Sequence, residues 1–165
     1  DASRKSIEAV WYTGRMMGKT ISQTICDKPT KYNPGIWFNS AKFFDIEYQV
    51  YGDIPTNIPE NITSLYWQHP SENKSIRINF EKSSGAVTGF NLLGIRYRQV
   101  VCEKWIRDKT HIEIVIENLS LANFDPEFFD QYEGAFLEMY NQKSGKSLTL
   151  KSKRKLSMVT KFLFG

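Results

Sequence analysis

Cysteine is scarce in this sequence, and the cysteines that are present stand alone. The 165 residues include only Cys26 and Cys102, with no CxxC pattern and no histidine near either one. Disulfide frameworks and zinc sites need paired cysteines, or cysteine and histidine at short spacing. The sequence therefore predicts neither kind of site. It indicates two free thiols in a reducing compartment, and we expect a cytoplasmic protein.

Long hydrophobic runs are also missing. No apolar run approaches the roughly 18 residues that cross a bilayer, and no signal peptide is visible. We therefore expect no membrane span. With 41% hydrophobic and 24% charged residues, the composition is that of a globular domain with a real core. The chain begins at Asp1 rather than Met, so we expect it to be a piece of a longer polypeptide.

The motifs of self-contained enzymes are absent as well. The sequence contains no GxGxxG, no HExxH and no GxSxG. The GKS run at 145–147 lacks the earlier glycine of a phosphate-binding loop, because that position is Tyr140. Only His69 and His111 are available for acid–base work, and both lie at predicted element boundaries. The chain alone is therefore expected to be catalytically inert and to hold no metal.

Charge is distributed unevenly along the chain. The segment 142–165 carries seven basic residues and no acid, which leaves 15 basic and 18 acidic residues in the body. Such a tail can bind an anionic partner, remain solvated, or pair with acids of its own protein. No aromatic residues alternate with its basic residues, as stacking on single strands would require. We therefore expect no specific nucleic-acid binding.

Hydrophobic periodicity predicts a helix at the start of the chain. In SIEAVWYTGRMMGKTISQTICD the apolar residues recur every three or four positions. Ser3 or Ser6 is the candidate N-cap, and the helix should end near Asp27, before a proline. Gly14 and Gly18 lie one turn apart on the apolar stripe. They predict a close backbone neighbour, since glycine otherwise weakens a helix.

Strands follow this helix. After a turn at 33–35 we predict a short strand at 36–39 and a longer strand at 44–51. In the longer strand Phe44, Ile46, Tyr48 and Val50 form one apolar face by alternation. A loop at 52–61 then leads into three further strands. These are predicted at 64–68, 75–81 and 86–93, with a hairpin turn at 82–85.

Helical patterns dominate the remainder of the chain. We predict a helix at 97–109. The segment HIEIVIENL fits either a strand or a helix, and helix is preferred. Asp125 followed by Pro126 is typical of a helix start, with Asp125 as N-cap. The element order predicts an α+β fold: an antiparallel sheet of about five strands with helices packed on one face.

Several short motifs occur in a recognisable order. They are TGRMMG at 13–18, WFNS at 37–40, DIEYQVYG at 45–52 and GAVTG at 85–89. In this order the chain resembles, over residues 1–125, the C-terminal part of FAD-dependent pyridine-nucleotide oxidoreductases. The similarity is greatest to the branch that includes apoptosis-inducing factors and ferredoxin reductases. Asn39 departs from the pattern, since the family has an aromatic residue there, and the nucleotide-binding Rossmann units are absent from this chain.

The resemblance implies a division of the chain and a set of partners. Residues 1–28 would be the last helix of a FAD-binding domain, 29–141 an interface and dimerisation domain, and 142–165 a basic tail. The implied partners are the FAD- and NAD-binding domains of the same polypeptide and a second copy of the chain. FAD would be bound mostly by the absent domains, with NAD(P)H as co-substrate.

The resemblance also implies a site, for which an alternative interpretation stays open. Trp37 and Phe38 would pack beside the flavin, with Ser40, Glu8 and Trp11 as further cofactor neighbours. The alternative is that Trp37 and Phe38 are hydrophobic core at the start of a strand. For the whole chain, the second hypothesis is a stand-alone α+β binding module that docks an acidic partner through its basic tail.

Overall fold

The structure is a computed structural model that describes residues 11–151. The chain divides into two compact units, Asp1–Gly35 and Ile36–Gly165. The described parts of these units are residues 11–35 and 36–151.

The first unit contains the predicted N-terminal helix. Helix α1 covers Trp11–Ile25. It stops where Asp27 adopts a left-handed φ of 57° and the Lys28 N–H donates to the Gln23 carbonyl oxygen at 2.9 Å, which is a common helix ending. Residues 1–10, with the candidate caps Ser3 and Ser6, lie outside the described residues. Within residues 11–151, no atom beyond the helix itself comes within 4 Å of a Cβ built on Gly14 or Gly18. The close neighbour predicted there is not seen.

The second unit is built on the predicted antiparallel sheet. Five strands lie in the order β1-β2-β5-β4-β3, and every neighbouring pair is antiparallel. A turn at 82–85 joins β4 to β5, as expected. The strand bounds are Phe38–Phe43 for β1, Ile46–Gly52 for β2, Ile62–Gln68 for β3, Ser75–Glu81 for β4 and Val87–Leu93 for β5.

Helices cover one face of this sheet, which confirms the α+β prediction. They are α2 at Gln99–Arg107, α3 at Ile112–Glu117, a short 3-10 turn at Leu119–Leu121, and α4 at Glu133–Ser144. The ambiguous HIEIVIENL segment is thus helical. Its apolar residues Ile112, Val115 and Ile116 are all buried. The core between sheet and helices includes Ile76, Ile78, Phe90, Leu92, Cys102, Trp105 and Phe136.

The predicted apolar face of the second strand is wrong. Gln49 and Tyr51 lie on the helix-covered face, in register with Leu92 and Phe90, and both are buried. The other face carries the apolar residues that define the alternating pattern, and Phe44 precedes the strand with 96% of its surface exposed. A buried polar side chain is tolerated when it is hydrogen-bonded. Gln49 meets this condition because it accepts a bond from a backbone N–H.

The predicted helix start at Asp125 is also wrong. Asp125 has φ of 45°, whereas an N-cap residue takes an extended conformation. The segment from Asp125 to the start of α4 forms turns, and Phe128 and Phe129 are exposed there. Tyr132 fixes the end of this segment by accepting a hydrogen bond from the Lys74 ammonium. The helix therefore begins only at Glu133, one residue later.

The described part of the basic tail is held against its own domain. Helix α4 continues to Ser144, and Lys146 and Lys151 form ion pairs with Glu113 and Glu117. The side chain of Asn141 bonds both the N–H and the carbonyl oxygen of Leu148. Two of the seven basic residues are thus paired with acids of this chain. Residues 152–165, which include four more, lie outside the described residues.

Phe44 occupies a strained position in the β1–β2 hairpin. Its φ of 51° is rare for a bulky residue and favours glycine. Since its side chain is almost fully exposed, Phe44→Gly removes little packing. We expect this substitution to raise the free energy of unfolding by about 0.5–1 kcal/mol, measured by urea denaturation. Phe43→Gly is the control and should be destabilising, because Phe43 stacks on Tyr48 and has no positive φ. A loss of stability in Phe44→Gly would contradict the prediction.

None of the helices between residues 11 and 151 combines the length and apolar character that a membrane span requires.

Candidate functional site

The candidate site that contains sequence-predicted residues is a groove beside β1, on the helix-covered face of the sheet. In the β1–β2 register, Phe38 lies opposite Tyr51 and Ser40 opposite Gln49, so these four side chains share one face. The Gly52 N–H donates to the Trp37 carbonyl oxygen at 2.7 Å, which extends the pairing to the residue before β1. The strand pair therefore forms one wall of the groove.

The second wall is the start of helix α2, and β2 fixes its position. The Tyr97 N–H donates to Gln49 Oε1 at 2.8 Å, and Tyr51 Oη donates to the Tyr97 carbonyl oxygen at 3.1 Å. Both backbone groups of Tyr97 are thus held by side chains of one strand. Arg98, the N-cap of α2, and Val100 follow directly and face the groove.

A short backbone pairing closes the end of the groove. The Phe124 N–H donates to the Arg96 carbonyl oxygen at 3.1 Å, and the Arg98 N–H donates to the Ala122 carbonyl oxygen at 2.6 Å. The guanidinium carbon of Arg96 lies 4.5 Å from the centre of the Phe124 ring, and its Nε lies 3.1 Å from Glu47 Oε1. These contacts hold the Phe124 ring at the groove.

The groove is suited to binding rather than to acid–base chemistry. It has a volume of about 420 Å³, within the usual range for small-molecule sites. Arg98 is its one charged lining residue. Burial raises the pKa of both Tyr51 and Tyr97 well above the ordinary phenol value, so both stay protonated at neutral pH. The lining residues are Phe38, Ser40, Gln49, Tyr51, Tyr97, Arg98, Gln99, Val100 and Phe124.

The predicted cofactor-binding residues are only partly brought together. Phe38 and Ser40 line the groove, and Phe38 also packs against the core. Trp37 immediately precedes them with 40% of its surface exposed, but it is not a lining residue. Trp11 opens α1 in the first unit and is 76% exposed. Glu8 lies outside the described residues.

Sequence reasoning missed most of the remaining groove residues. Gln49 stands in the DIEYQVYG motif, so its position in that pattern was an available signal. Tyr97, Arg98 and Phe124 belong to no motif, and only the tertiary pairing of their segments brings them to the groove. Among residues 11–151, no cluster of His, Cys, Asp and Glu is arranged to hold a metal ion.

A buried carboxyl lies beneath the groove and gives a pH-dependent prediction. Glu133 is 2% exposed, and its Oε1 accepts a hydrogen bond from Asn123 Nδ2 at 3.1 Å. Burial raises the pKa of Glu133 above its ordinary 4.5, and the hydrogen bond from Asn123 opposes this rise only in part. The folded state thus holds this proton more tightly than the unfolded state. The stability that this protonated carboxyl contributes should be fully present below pH 4.5. It should be lost as pH rises through the folded-state pKa.

Glu133→Gln tests this dependence while keeping the acceptor oxygen for Asn123. We expect the variant to match the parent near pH 4 and to be more stable than the parent at pH 8, in urea denaturation at both values. The matched control is Glu138→Gln, at an exposed position further along α4, which should leave the pH dependence of stability as it is in the parent. Equal pH dependence in parent and Glu133→Gln would refute the account.

The comparisons with known proteins give a match in fold alone. No family model matches the sequence, and none of the curated proteins does. The structure is similar to that of a NAD-dependent persulfide reductase from A. fulgidus, with a TM-score of 0.59 and 18% sequence identity. The match covers 86% of this chain and 29% of that chain, so this chain spans less than a third of the reductase's length.

Proposed function

We propose that this chain is the C-terminal interface domain of a FAD-dependent NAD(P)H oxidoreductase. In this proposal it covers the flavin, supports self-association, and is inert without the FAD- and NAD-binding domains of the same polypeptide. The observation that carries the proposal is the likeness in fold, over most of this chain, to part of a NAD-dependent reductase. The motif order described above supports the same conclusion from the sequence.

The proposed contact with the flavin is the groove beside β1. Phe38 and Ser40 are its cofactor-facing residues, with Trp37 next to them. An aromatic wall excludes water and restricts where a nicotinamide can approach, while the cofactor supplies the redox chemistry. The groove's single charge, on Arg98, and its lack of a titrating acid or base are consistent with a covering role.

The redox state of the two cysteines bears on the compartment. Cys26 is exposed and Cys102 is buried, and neither is in a disulfide. Burial raises the pKa of the Cys102 thiol, which keeps it protonated and unreactive. We propose a cytoplasmic enzyme on this basis.

The decisive experiment isolates the native polypeptide with an antibody raised against this chain. We expect a species with roughly 300 additional residues, enough for two domains of about 150 each, and with the absorption spectrum of a bound flavin. Light scattering of the same material should give the mass of a dimer. A colourless species no larger than this chain would refute the proposal.

Substitutions in that native polypeptide test the groove. Phe38→Leu should shift the flavin absorption bands and the flavin reduction potential, because it removes the aromatic wall but keeps an apolar side chain. Phe80→Leu is the matched control, since Phe80 also packs against the core but does not line the groove. Equal spectra and potentials for both variants and the parent would show that Phe38 serves only the core.

A further inference from the structure

A second groove lies on the opposite face of the sheet, away from α2, α3 and α4. It is lined by Tyr48, Ile58, Ser64, Tyr66, Ser75, Arg77, Asn91 and Leu93, and has a volume of about 580 Å³. Ile58 and Tyr66 at its rim are each 48% exposed. The groove is therefore a shallow surface with apolar and hydroxyl-bearing sides rather than an enclosed cavity.

Arg77 is the one charged residue among those that line this groove. Within residues 11–151, no ion pair joins Arg77 to a carboxylate, and none of the residues lining the groove is acidic. Arg77 is nevertheless half-buried. A partly desolvated guanidinium without a counter-charge is unfavourable, and an anion placed beside it gains more than it would at the surface.

Neutral groups hold the Arg77 side chain in place. Its Nε donates to Ser64 Oγ at 2.9 Å and to Asn79 Oδ1 at 3.3 Å, and its Nη2 donates to the Pro55 carbonyl oxygen at 3.3 Å. None of these acceptors carries a charge. The planar guanidinium is thus oriented before any anion binds, which lowers the entropy cost of a carboxylate–guanidinium pair.

We propose that this groove binds an acidic side chain of a partner protein's peptide segment, with Arg77 pairing with the carboxylate. Apolar residues flanking the acid would pack on Leu93 and Ile58. A peptide segment fits better than a free small carboxylate, because the groove is shallow and its apolar sides are accessible. The proposal does not depend on the flavin role, since this groove and the groove beside β1 lie on opposite faces of the sheet.

The test is an NMR titration of this chain with the peptide acetyl-Leu-Glu-Leu-amide, following the Arg77 Nε–H resonance. The matched probe is the same peptide with Gln in place of Glu, which keeps the shape and removes the charge. We expect saturable shifts with the Glu peptide and roughly tenfold weaker binding of the Gln peptide. Equal binding of the two peptides would overturn the proposal. So would acetate binding as tightly as the Glu peptide, because the groove would then be a small-anion site.

A variant that places a carboxylate of this chain beside Arg77 gives an independent test. Asn91 lies directly opposite Arg77 in the β4–β5 register, so Asn91→Asp brings a carboxylate to the guanidinium with almost no change in shape. We expect this variant to shift the Arg77 Nε–H resonance without peptide and to abolish the response to the Glu peptide. Asn73→Asp is the control, since it makes the same charge change at an exposed turn. An equal loss of binding in both variants would contradict the role of Arg77.

Discussion

Gly52→Ala is expected to lower the free energy of unfolding by about 3 kcal/mol. Gly52 ends β2 with φ of 71°, a conformation that costs an alanine about 1 kcal/mol. A Cβ at this position would also overlap the Thr88 carbonyl oxygen and would lie 2.8 Å from Ile106 Cδ1. The overlap with backbone cannot be relieved by a side-chain rotation. Relief requires β2 and β5 to move apart where β2 ends.

Gly145→Ala separates the two costs. Gly145 has φ of 69°, nearly the same as Gly52, but among residues 11–151, its two chain neighbours aside, no atom lies within 4 Å of a Cβ built there. This control should therefore lose only about 1 kcal/mol, from the backbone conformation alone. Urea denaturation of both variants measures the difference. Equal losses of stability in Gly52→Ala and Gly145→Ala would show that β5 leaves room for a Cβ at Gly52.

Gln49→Met is expected to lower the free energy of unfolding by about 2 kcal/mol. The substitution keeps the length of the side chain and removes the acceptor for the Tyr97 N–H, to which Gln49 Oε1 is bonded at 2.8 Å. Tyr97 is 1% exposed, so water cannot replace the lost partner. An unsatisfied buried N–H has a large cost, which exceeds the gain from a more apolar side chain.

Gln68→Met is the matched control for this effect. Gln68 lies at the exposed end of β3, and its substitution should change stability by less than about 0.5 kcal/mol. Amide hydrogen exchange adds a local readout, because the Tyr97 N–H and the first turn of α2 should exchange faster in Gln49→Met. An unchanged exchange rate at Tyr97 would contradict the anchoring role assigned to Gln49.

The strands and most of the helices follow from local patterns in the sequence. Alternation in β4 correctly predicts that Ile76 and Ile78 are buried on one face. The three- and four-residue repeat around Trp105 likewise predicts α2. Both elements place a purely apolar set against the core. For such elements the hydrophobic pattern and the tertiary structure impose the same orientation.

Predictions failed where polar groups or strained backbone decide the structure. The face of β2 was predicted wrongly because burial of Gln49 depends on a backbone N–H that lies 48 residues away. The helix start at Asp125 was predicted wrongly because its left-handed φ and the Lys74–Tyr132 hydrogen bond fix a turn instead. Local propensity contains no information about such distant partners.

The same distinction applies to the two grooves. The sequence by itself determined the α+β class, the five antiparallel strands and the absence of an enzyme's usual motifs. It also identified Phe38 and Ser40 as candidate site residues. Only the tertiary structure decided that Tyr97, Arg98 and Phe124 join these two residues, and that no acidic residue of 11–151 lines the groove around Arg77. Periodicity along a strand specifies alternating faces, but the groups that meet on a face come from distant segments. Their burial and hydrogen bonding depend on the complete fold.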